Sequence, residues 1–273
     1  MPQPFVRTYD VHPRFGRHQV LDARTLAYRR SYSGEPIKPA DHEPNLPVLD
    51  QEDLIDQGIR TSELFPGLDD LPALGSCGGN SGTEVAAALL TPVEATAVGL
   101  DVTDAVAAEK YAIGVYSDAT KRDEWHDVQF PSDDCGTSGL AIAKVLRSRG
   151  ICDQYGTATT AEEFARDMGH GTCLFGMPWY QAWFEPTSSA LLDDVTGWEN
   201  SPIDGGHLVT ATALEKVTFT KTGDLDPKRT IVRLRNHWTT SWGDGGSFRL
   251  SLDLYQQISD QVDIIQPRRE HAA

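Results

Sequence analysis

A thiol is a strong nucleophile as its thiolate, and Cys77 stands where a thiolate would be favoured. It opens the stretch Cys77-Gly78-Gly79-Asn80-Ser81-Gly82-Thr83-Glu84-Val85-Ala86-Ala87-Ala88-Leu89. There Val85, Ala88 and Leu89 make an i, i+3, i+4 stripe that predicts a helix, with Pro92 expected to end it. A helix N-terminus carries unsatisfied N–H groups and the positive end of the macrodipole, and both favour the anion. A cysteine nucleophile also needs a base for its proton, and a third group to fix that base's orientation and tautomer. His207 fits the first need: of eight histidines it alone lies between a glycine pair, Gly205-Gly206, and a clean apolar strand. Asn236 fits the second. It is in period-two register with Val232 and Leu234, so its amide points toward the core and needs a hydrogen-bond partner such as an imidazole N–H. Each residue also has a plainer reading. Free cysteine is among the most buried residue types, His207 could merely start a strand, and Asn236 could merely close a turn.

These residues have to be carried by elements that meet. After the Cys77 helix, Asp104 to Tyr116 predicts a second. A third follows Thr137 or Ser138 as cap, with Leu140, Ile142, Ala143, Val145 and Leu146 as its apolar stripe and Gly150 as its stop. Thr160, with Glu163 three residues on, has the capping-box spacing and opens a fourth, to about Met168. A short helix near Gln51 to Gln57 precedes them, in an acidic stretch broken by Pro66, Gly67 and Pro72. Gly78, Gly79 and Gly82 disfavour a freestanding Cys77 helix, so close packing has to hold it, which suits a buried central position. The second half changes period. Val209, Ala211 and Ala213 alternate with Leu208, Thr210 and Thr212; Val232 and Leu234 alternate with Arg233 and Arg235; Phe248, Leu250 and Leu252 alternate with Ser247, Arg249 and Ser251. Lys216 to Arg229 reads as a hairpin loop between two of these strands. Helices first and strands second imply an α+β fold with segregated layers.

A chain of 273 residues can bury a sizeable core. Its net charge of −16 argues against a nucleic-acid partner, which would require a basic surface. Met1 to Arg7 lacks an apolar h-region, and no stretch approaches the roughly 18 apolar residues that span a bilayer. Neither a Sec signal nor a membrane anchor is expected, and the cytoplasm is the default compartment, although a phage-encoded or exported product would read the same way. A monomer is the default assembly. Cys77, Cys135, Cys152 and Cys173 are too few for a disulfide scaffold, and if Cys77 stays reduced at least one more is free. The spacings of the last three, 17 and 21 residues, fit no zinc pattern, so no metal or other cofactor is expected. The first 45 residues carry Arg7, Arg14, Arg17, Arg24, Arg29 and Arg30. They are either a solvated extension or a segment that lies over the acidic body.

Order and spacing sharpen the assignment. His207 and Asn236 follow Cys77 by 130 and 159 residues, close to the separations of the papain and cathepsin arrangement. Asp204-Gly205-Gly206-His207-Leu208-Val209 resembles the histidine strand of papain-like cysteine peptidases. Asn236-His237-Trp238-Thr239-Thr240-Ser241-Trp242-Gly243-Asp244-Gly245-Gly246-Ser247-Phe248-Arg249-Leu250 closely resembles their asparagine motif, NSWGxxWGxxGYxRI. Gly75-Ser76-Cys77 resembles the nucleophile motif. Asp134-Cys135-Gly136-Thr137-Ser138 is similar to the DxGTS segment of bacterial members, and Leu46-Pro47-Val48-Leu49-Asp50 to the usual start of the mature domain. The resemblance covers residues 46–266, leaving 1–45 as an N-terminal extension or short pro-segment-like arm and 267–273 as a polar tail.

That resemblance implies a two-lobed fold, with Cys77 on a helical left lobe, His207 and Asn236 on a β-rich right lobe, and a peptide or protein substrate in the cleft between. Cys77 would be the nucleophile, His207 the base and then the acid, and Asn236 the orienter. Trp238 would shield the asparagine–histidine contact from water, Gly136 would lie beside the substrate, and Trp242 would pack in the core. Two positions depart from the pattern. Leu71 replaces the glutamine whose amide helps to bind the oxyanion, a loss typically worth about 10²- to 10³-fold in rate. Asp69 and Asp70 would repel an oxyanion, which leaves the Cys77 backbone N–H and the Asn80 amide as donors. Gly78 replaces a bulky aromatic and opens the cleft. The implied activity is peptide-bond hydrolysis by a cysteine peptidase. The alternatives are a papain-fold protein that binds a peptide or partner with little turnover, or an amidase or transpeptidase acting on cell-wall peptide.

Overall fold

The computed structural model describes residues 3–30, 32, 35–65, 73–123 and 127–269. Pro66, Gly67, Asp69, Asp70, Leu71, Pro72, His126 and His271 lie outside them. The N-terminal arm forms strands β1 (Phe5–Arg7) and β2 (Arg17–Leu21) and reaches β3 (Ala40–Asp41). Helices follow: α1 (Gln51–Asp56), α2 (Thr61–Leu64), α3 (Cys77–Leu89), α4 (Pro92–Ala97) and α5 (Ala105–Thr120). The short β4 (Thr137–Ser138) leads into α6 (Gly139–Ser148), β5 (Gln154–Ala158) and α7 (Ala161–Met168). Then come β6 (Cys173–Tyr180), β7 (Ile203–Lys216), β8 (Ile231–Arg235), β9 (Ser247–Ser251), α8 (Leu252–Ile258) and β10 (Asp263–Arg268).

Helix α3 is buried from Cys77 through Ala87, and its glycines are the reason it can be. A Cβ at Gly79 would lie 2.1 Å from the Ala112 carbonyl oxygen of α5, and one at Gly82 would lie 2.8 Å from Ile142 of α6. The residues that disfavour this helix in isolation therefore let two other helices close upon it. Val85, Ala86, Ala112, Val115, Ile142 and Leu146 fill the centre of this lobe. Pro92 does not close α3, which ends at Leu89; it occupies the first turn of α4, behind a Thr91–Glu94 capping box.

The second lobe is built on an antiparallel sheet in the order β5-β10-β6-β7-β8-β9, with β3 added beside β7. Alternate residues of its middle strands enter opposite cores. Leu174, Leu208 and Ile265 pack with the helical lobe, whereas Phe175, Val209 and Ile264 join an aromatic core with Phe164, Trp179 and Phe248. Covered on both faces, β6 is a nearly unbroken apolar run whose period of two is invisible in sequence.

Of the two readings of the arm, the structure has the second: it lies over the body. Arg17 to Val20 are buried, β2 pairs in parallel with β4, and the chain just before it runs between the lobes. At the other end, β10 continues through Arg268, inside the stretch read as tail, and Arg269 pairs with Glu94 at 2.7 Å.

Candidate active site

Two hydrogen bonds set the start of α3 against the histidine end of β7. Ser81 Oγ donates to the Leu208 carbonyl at 2.8 Å, and Thr210 Oγ1 donates to the Ser81 carbonyl at 3.3 Å. Ser81 lies one helical turn beyond Cys77 and Leu208 one residue beyond His207, so the start of α3 and the histidine end of β7 are held together. The Leu208 backbone N–H itself faces the Cys77 thiol.

Asn236 follows the last residue of β8, where its backbone N–H donates to the Gly246 carbonyl at 2.9 Å. Its Oδ1 accepts from His207 Nε2 at 2.8 Å and from the His237 backbone N–H at 2.9 Å. The second bond fixes which way the amide points, because a backbone N–H can be met only by the oxygen. With Oδ1 toward the ring, the neutral imidazole carries its proton on Nε2, and its lone pair is left on Nδ1. That Nδ1 is buried with no hydrogen-bond partner among the described residues. Trp238 stacks on the imidazole at 4.9 Å and 22°, and Trp179 meets it edge-on at 5.2 Å. Trp242 packs at the edge of this cluster, its Nε1 donating to the Phe184 carbonyl at 2.8 Å.

The arm occupies the cleft. Phe15 is fully buried, with its ring centroid 5.3 Å from His207, 5.6 Å from Trp238 and 5.7 Å from Phe184. The next residue passes so close to the loop before Cys77 that a Cβ at Gly16 would lie 1.5 Å from the Gly75 carbonyl oxygen. The Gly16 backbone N–H faces the Cys77 thiol, and the Arg14 backbone lies beside the His207 ring. On the other side, the Gly16 carbonyl accepts from Thr137 N at 2.7 Å. Gly136, expected beside a substrate, touches the arm: it has φ +69°, and a Cβ there would lie 2.6 Å from that same carbonyl. Cys77 is 2% exposed, His207 and Asn236 0%, and the void left beside Cys77 is about 20 Å³, room for one water.

This burial governs the charge state. Loss of solvation pushes the Cys77 thiol up to about 11, against smaller lowering effects from the N–H groups of Leu208, Gly16 and Gly78. It pulls His207 down to about 3, with Asn236 acting in the opposite sense. Under the arm the thiol and the imidazole are therefore both neutral, and no hydrogen bond joins them among the described residues.

Asn80, expected as a possible oxyanion donor, is bonded within the helical lobe. Its Nδ2 donates to Glu109 Oε2 at 2.8 Å, and Gln51 Nε2 donates to Glu109 Oε1 at 3.2 Å, while Gln51 Oε1 accepts from the Leu74 backbone N–H. The buried Glu109 carboxylate thus accepts from one N–H of Asn80 and one of Gln51, two amides that line the void beside Cys77. Gln51, Glu109 and the arm residues Phe15 to Arg17 are site features that the sequence did not disclose. Gln51 and Glu109 lie 26 residues before and 32 after Cys77, with no motif to join them.

Cys77, Cys135, Cys152 and Cys173 are all unpaired. Among the described residues, no group of three or more His, Cys, Asp or Glu side chains is placed to hold a metal, and no helix is long and apolar enough to cross a membrane. No protein-family model and no curated protein matches the chain. Solved structures do. The chain is similar to xylellain, a cysteine protease from Xylella fastidiosa, at 14% identity and a TM-score of 0.60 over 97% of this chain and 98% of that one. It is also similar to digestive procathepsin L 3 from the larval midgut of Tenebrio molitor, at 13% identity and a TM-score of 0.50 over 96% and 83%. The fold is that of the papain-like cysteine proteases, α+β and two-lobed.

Proposed function

We propose that this chain with a papain-like fold is a cysteine peptidase held latent by its own arm. Cys77 attacks the substrate carbonyl as thiolate after giving its proton to His207 Nδ1. His207 returns that proton to the leaving amine as the C–N bond breaks, and a water activated by the same imidazole then hydrolyses the thioester. Asn236 holds the ring in the tautomer this requires, with Trp238 covering their contact. Gly136 lines the peptide path, and residues 1–45 are the covering segment of a peptidase domain over 46–266. The observation that carries this reading is the double acceptance at Asn236 Oδ1, which frees Nδ1 beside the strand that faces the thiol.

The second reading, a papain-fold binding protein with little turnover, is favoured by the Asn80 and Gln51 amides being bound to Glu109. Fluorophore release from a mixed peptide-amide library separates the two, measured with the wild type, Phe15→Ala and Phe15→Ala/Cys77→Ala. Release that rises in Phe15→Ala and vanishes with Cys77→Ala is the expected result. No release from either cysteine-containing protein, with a thiol no more reactive than free cysteine in both, would move the assignment to a binding protein.

A further inference from the structure

Arg17 is fully buried. Its guanidinium lies in a socket whose floor is the carboxylate of Asp263, 5% exposed, with Nη2 donating to Asp263 Oδ1 and, at 3.0 Å, to the Gln261 carbonyl. The Tyr9 ring of the arm lies 5.4 Å from the guanidinium carbon.

Three features make this more than an anchor. The first is position. Across the sheet, Asp263 of β10 pairs with Gly176 of β6, which pairs with Leu208 of β7, the residue after His207. The second is shape. A Cβ at Gly176 would lie 2.6 Å from both Arg17 Nε and Asp263 Oδ1, so the absence of a side chain there makes the space for a guanidinium. The third is the conformation of the occupant. Arg17 is in extended chain paired with β4, next to Gly16 at the thiol, as a bound peptide strand would be. When the arm leaves, Asp263 is a carboxylate in an enclosed site without its cation, which strongly favours another cation in the same place. Arg17 Nε and Nη1 make no hydrogen bond among the described residues, so a bound arginine is selected by charge and by the Asp263 and Gln261 contacts.

Resting on the peptidase reading above, we infer that this socket is the enzyme's specificity pocket, and that it selects substrates with arginine adjoining the residue held at Cys77. Arg17 is the intramolecular copy of that side chain, not of the chain direction: it follows Gly16 in the arm, so a substrate with arginine on the amino side of the residue at Cys77 runs opposite to the arm.

All variants are made in the full chain carrying Phe15→Ala, which loosens the cover at the thiol; Arg17→Ala in that background then empties the socket. Two peptidyl acyloxymethyl ketones, identical except for arginine or its neutral isostere citrulline at the second residue from the ketone, are compared for the rate of Cys77 labelling. Arginine is expected to label faster by about tenfold or more, the size of a charge-assisted contact, and Arg17→Ala/Asp263→Asn should bring the ratio within about twofold of one. Should the double variant not fold, the arginine-to-citrulline ratio in Arg17→Ala decides alone. Rapid labelling by both probes at equal rates would overturn the inference. Thermal unfolding with acetyl-Gly-Arg-His-amide or its citrulline analogue gives a readout independent of the thiol. If neither probe labels but the arginine peptide alone raises the Tm of Arg17→Ala, the socket stands and the peptidase reading fails. If neither probe labels and neither peptide shifts the Tm, the socket fails as well.

Discussion

At Asn236 a single carbonyl oxygen accepts from the His207 imidazole and from the His237 backbone. Truncation to alanine leaves two buried donors unmatched, at about 1–3 kcal/mol each. Asn236→Ala is expected to lose about 2–4 kcal/mol of stability in urea unfolding, and on the order of 10²-fold in any Cys77-dependent turnover as the ring is freed to take the wrong tautomer. Asn236→Asp keeps both acceptor contacts and should lose less stability; equal losses in the two variants would show that packing, not acceptance, is what Asn236 supplies. The thiol itself reads out the cover. With Cys77 up at about 11 and His207 down at about 3, the thiolate fraction at pH 7 is on the order of 10⁻⁴, against a few per cent for free cysteine. Iodoacetamide labelling of Cys77, followed by peptide mapping in the intact wild type, is therefore expected to run about 10²-fold slower than free cysteine at pH 7. It should rise about tenfold per pH unit up to about pH 10. A fast rate that is flat from pH 6 to 8 would mean that an ion pair exists beneath the arm.

Helix α3 was legible as an element because its apolar stripe and its cysteine coincide, and Asn236 because the period of β8 carries it inward. Other elements were hidden by identifiable causes. The Thr91–Glu94 box makes Pro92 a starter, not a stop. Leu252 belongs by alternation to β9, yet Ser251 Oγ accepts from Leu254 N and turns the chain into α8. Pro267 argues against a strand, but it lies where β10 has β5 as partner and has run past β6. Buried carboxylates left no pattern at all, and Glu109 of α5, bonded to Asn80 of α3 and Gln51 of α1, ties three helices together. Burial raises Glu109 from 4.5 to about 7. The folded state therefore holds a proton that the unfolded state has lost between these values, and stability falls as pH rises through that window, by up to about 3 kcal/mol. His207 works in the opposite sense, from about 3 to its usual 6.5, so the difference between proteins is the quantity to measure. Relative to Glu109→Gln, the wild type is expected to lose stability between about pH 4.5 and 7 in urea unfolding, and parallel profiles would place the ionised carboxylate on its ordinary footing. Gly79→Ala sets propensity against packing. Alanine favours a free helix by about 1 kcal/mol, but the Cβ would meet the Ala112 carbonyl at 2.1 Å, so a net loss of about 1–3 kcal/mol is expected. A gain in stability would show that α5 can yield.

Across the whole molecule, a basic arm closes an acidic body. Arg7, Arg14, Arg17 and Arg29 pair with Asp260, Glu52, Asp263 and Glu163 of the two lobes. Within the body, buried Glu84 of α3 and Arg235 of β8 stand 3.1 Å apart across the lobe boundary. The exposed arm pairs contribute little and weaken with salt, so the buried residues Phe15 and Arg17 decide whether the cleft stays shut. The arm's partners lie as far as 246 residues away in sequence, which is why its arginines alone did not disclose a cover. Its grip is uneven: beyond the tight passage at Gly16 it spans a cavity of about 360 Å³ under Val20 to Leu26, so opening is expected to start there and to be limited by Phe15. Replacing a buried phenylalanine by alanine typically loses about 3–5 kcal/mol. If about half of that is arm docking, Phe15→Ala should raise the open population, and with it Cys77 labelling at pH 7, by at least about 10-fold. Added salt should add only a few-fold more. Circular dichroism and thermal unfolding would show whether the body stays folded. A folded Phe15→Ala whose Cys77 labels no faster than the wild type would mean that the lobes themselves, and not the arm, enclose the thiol.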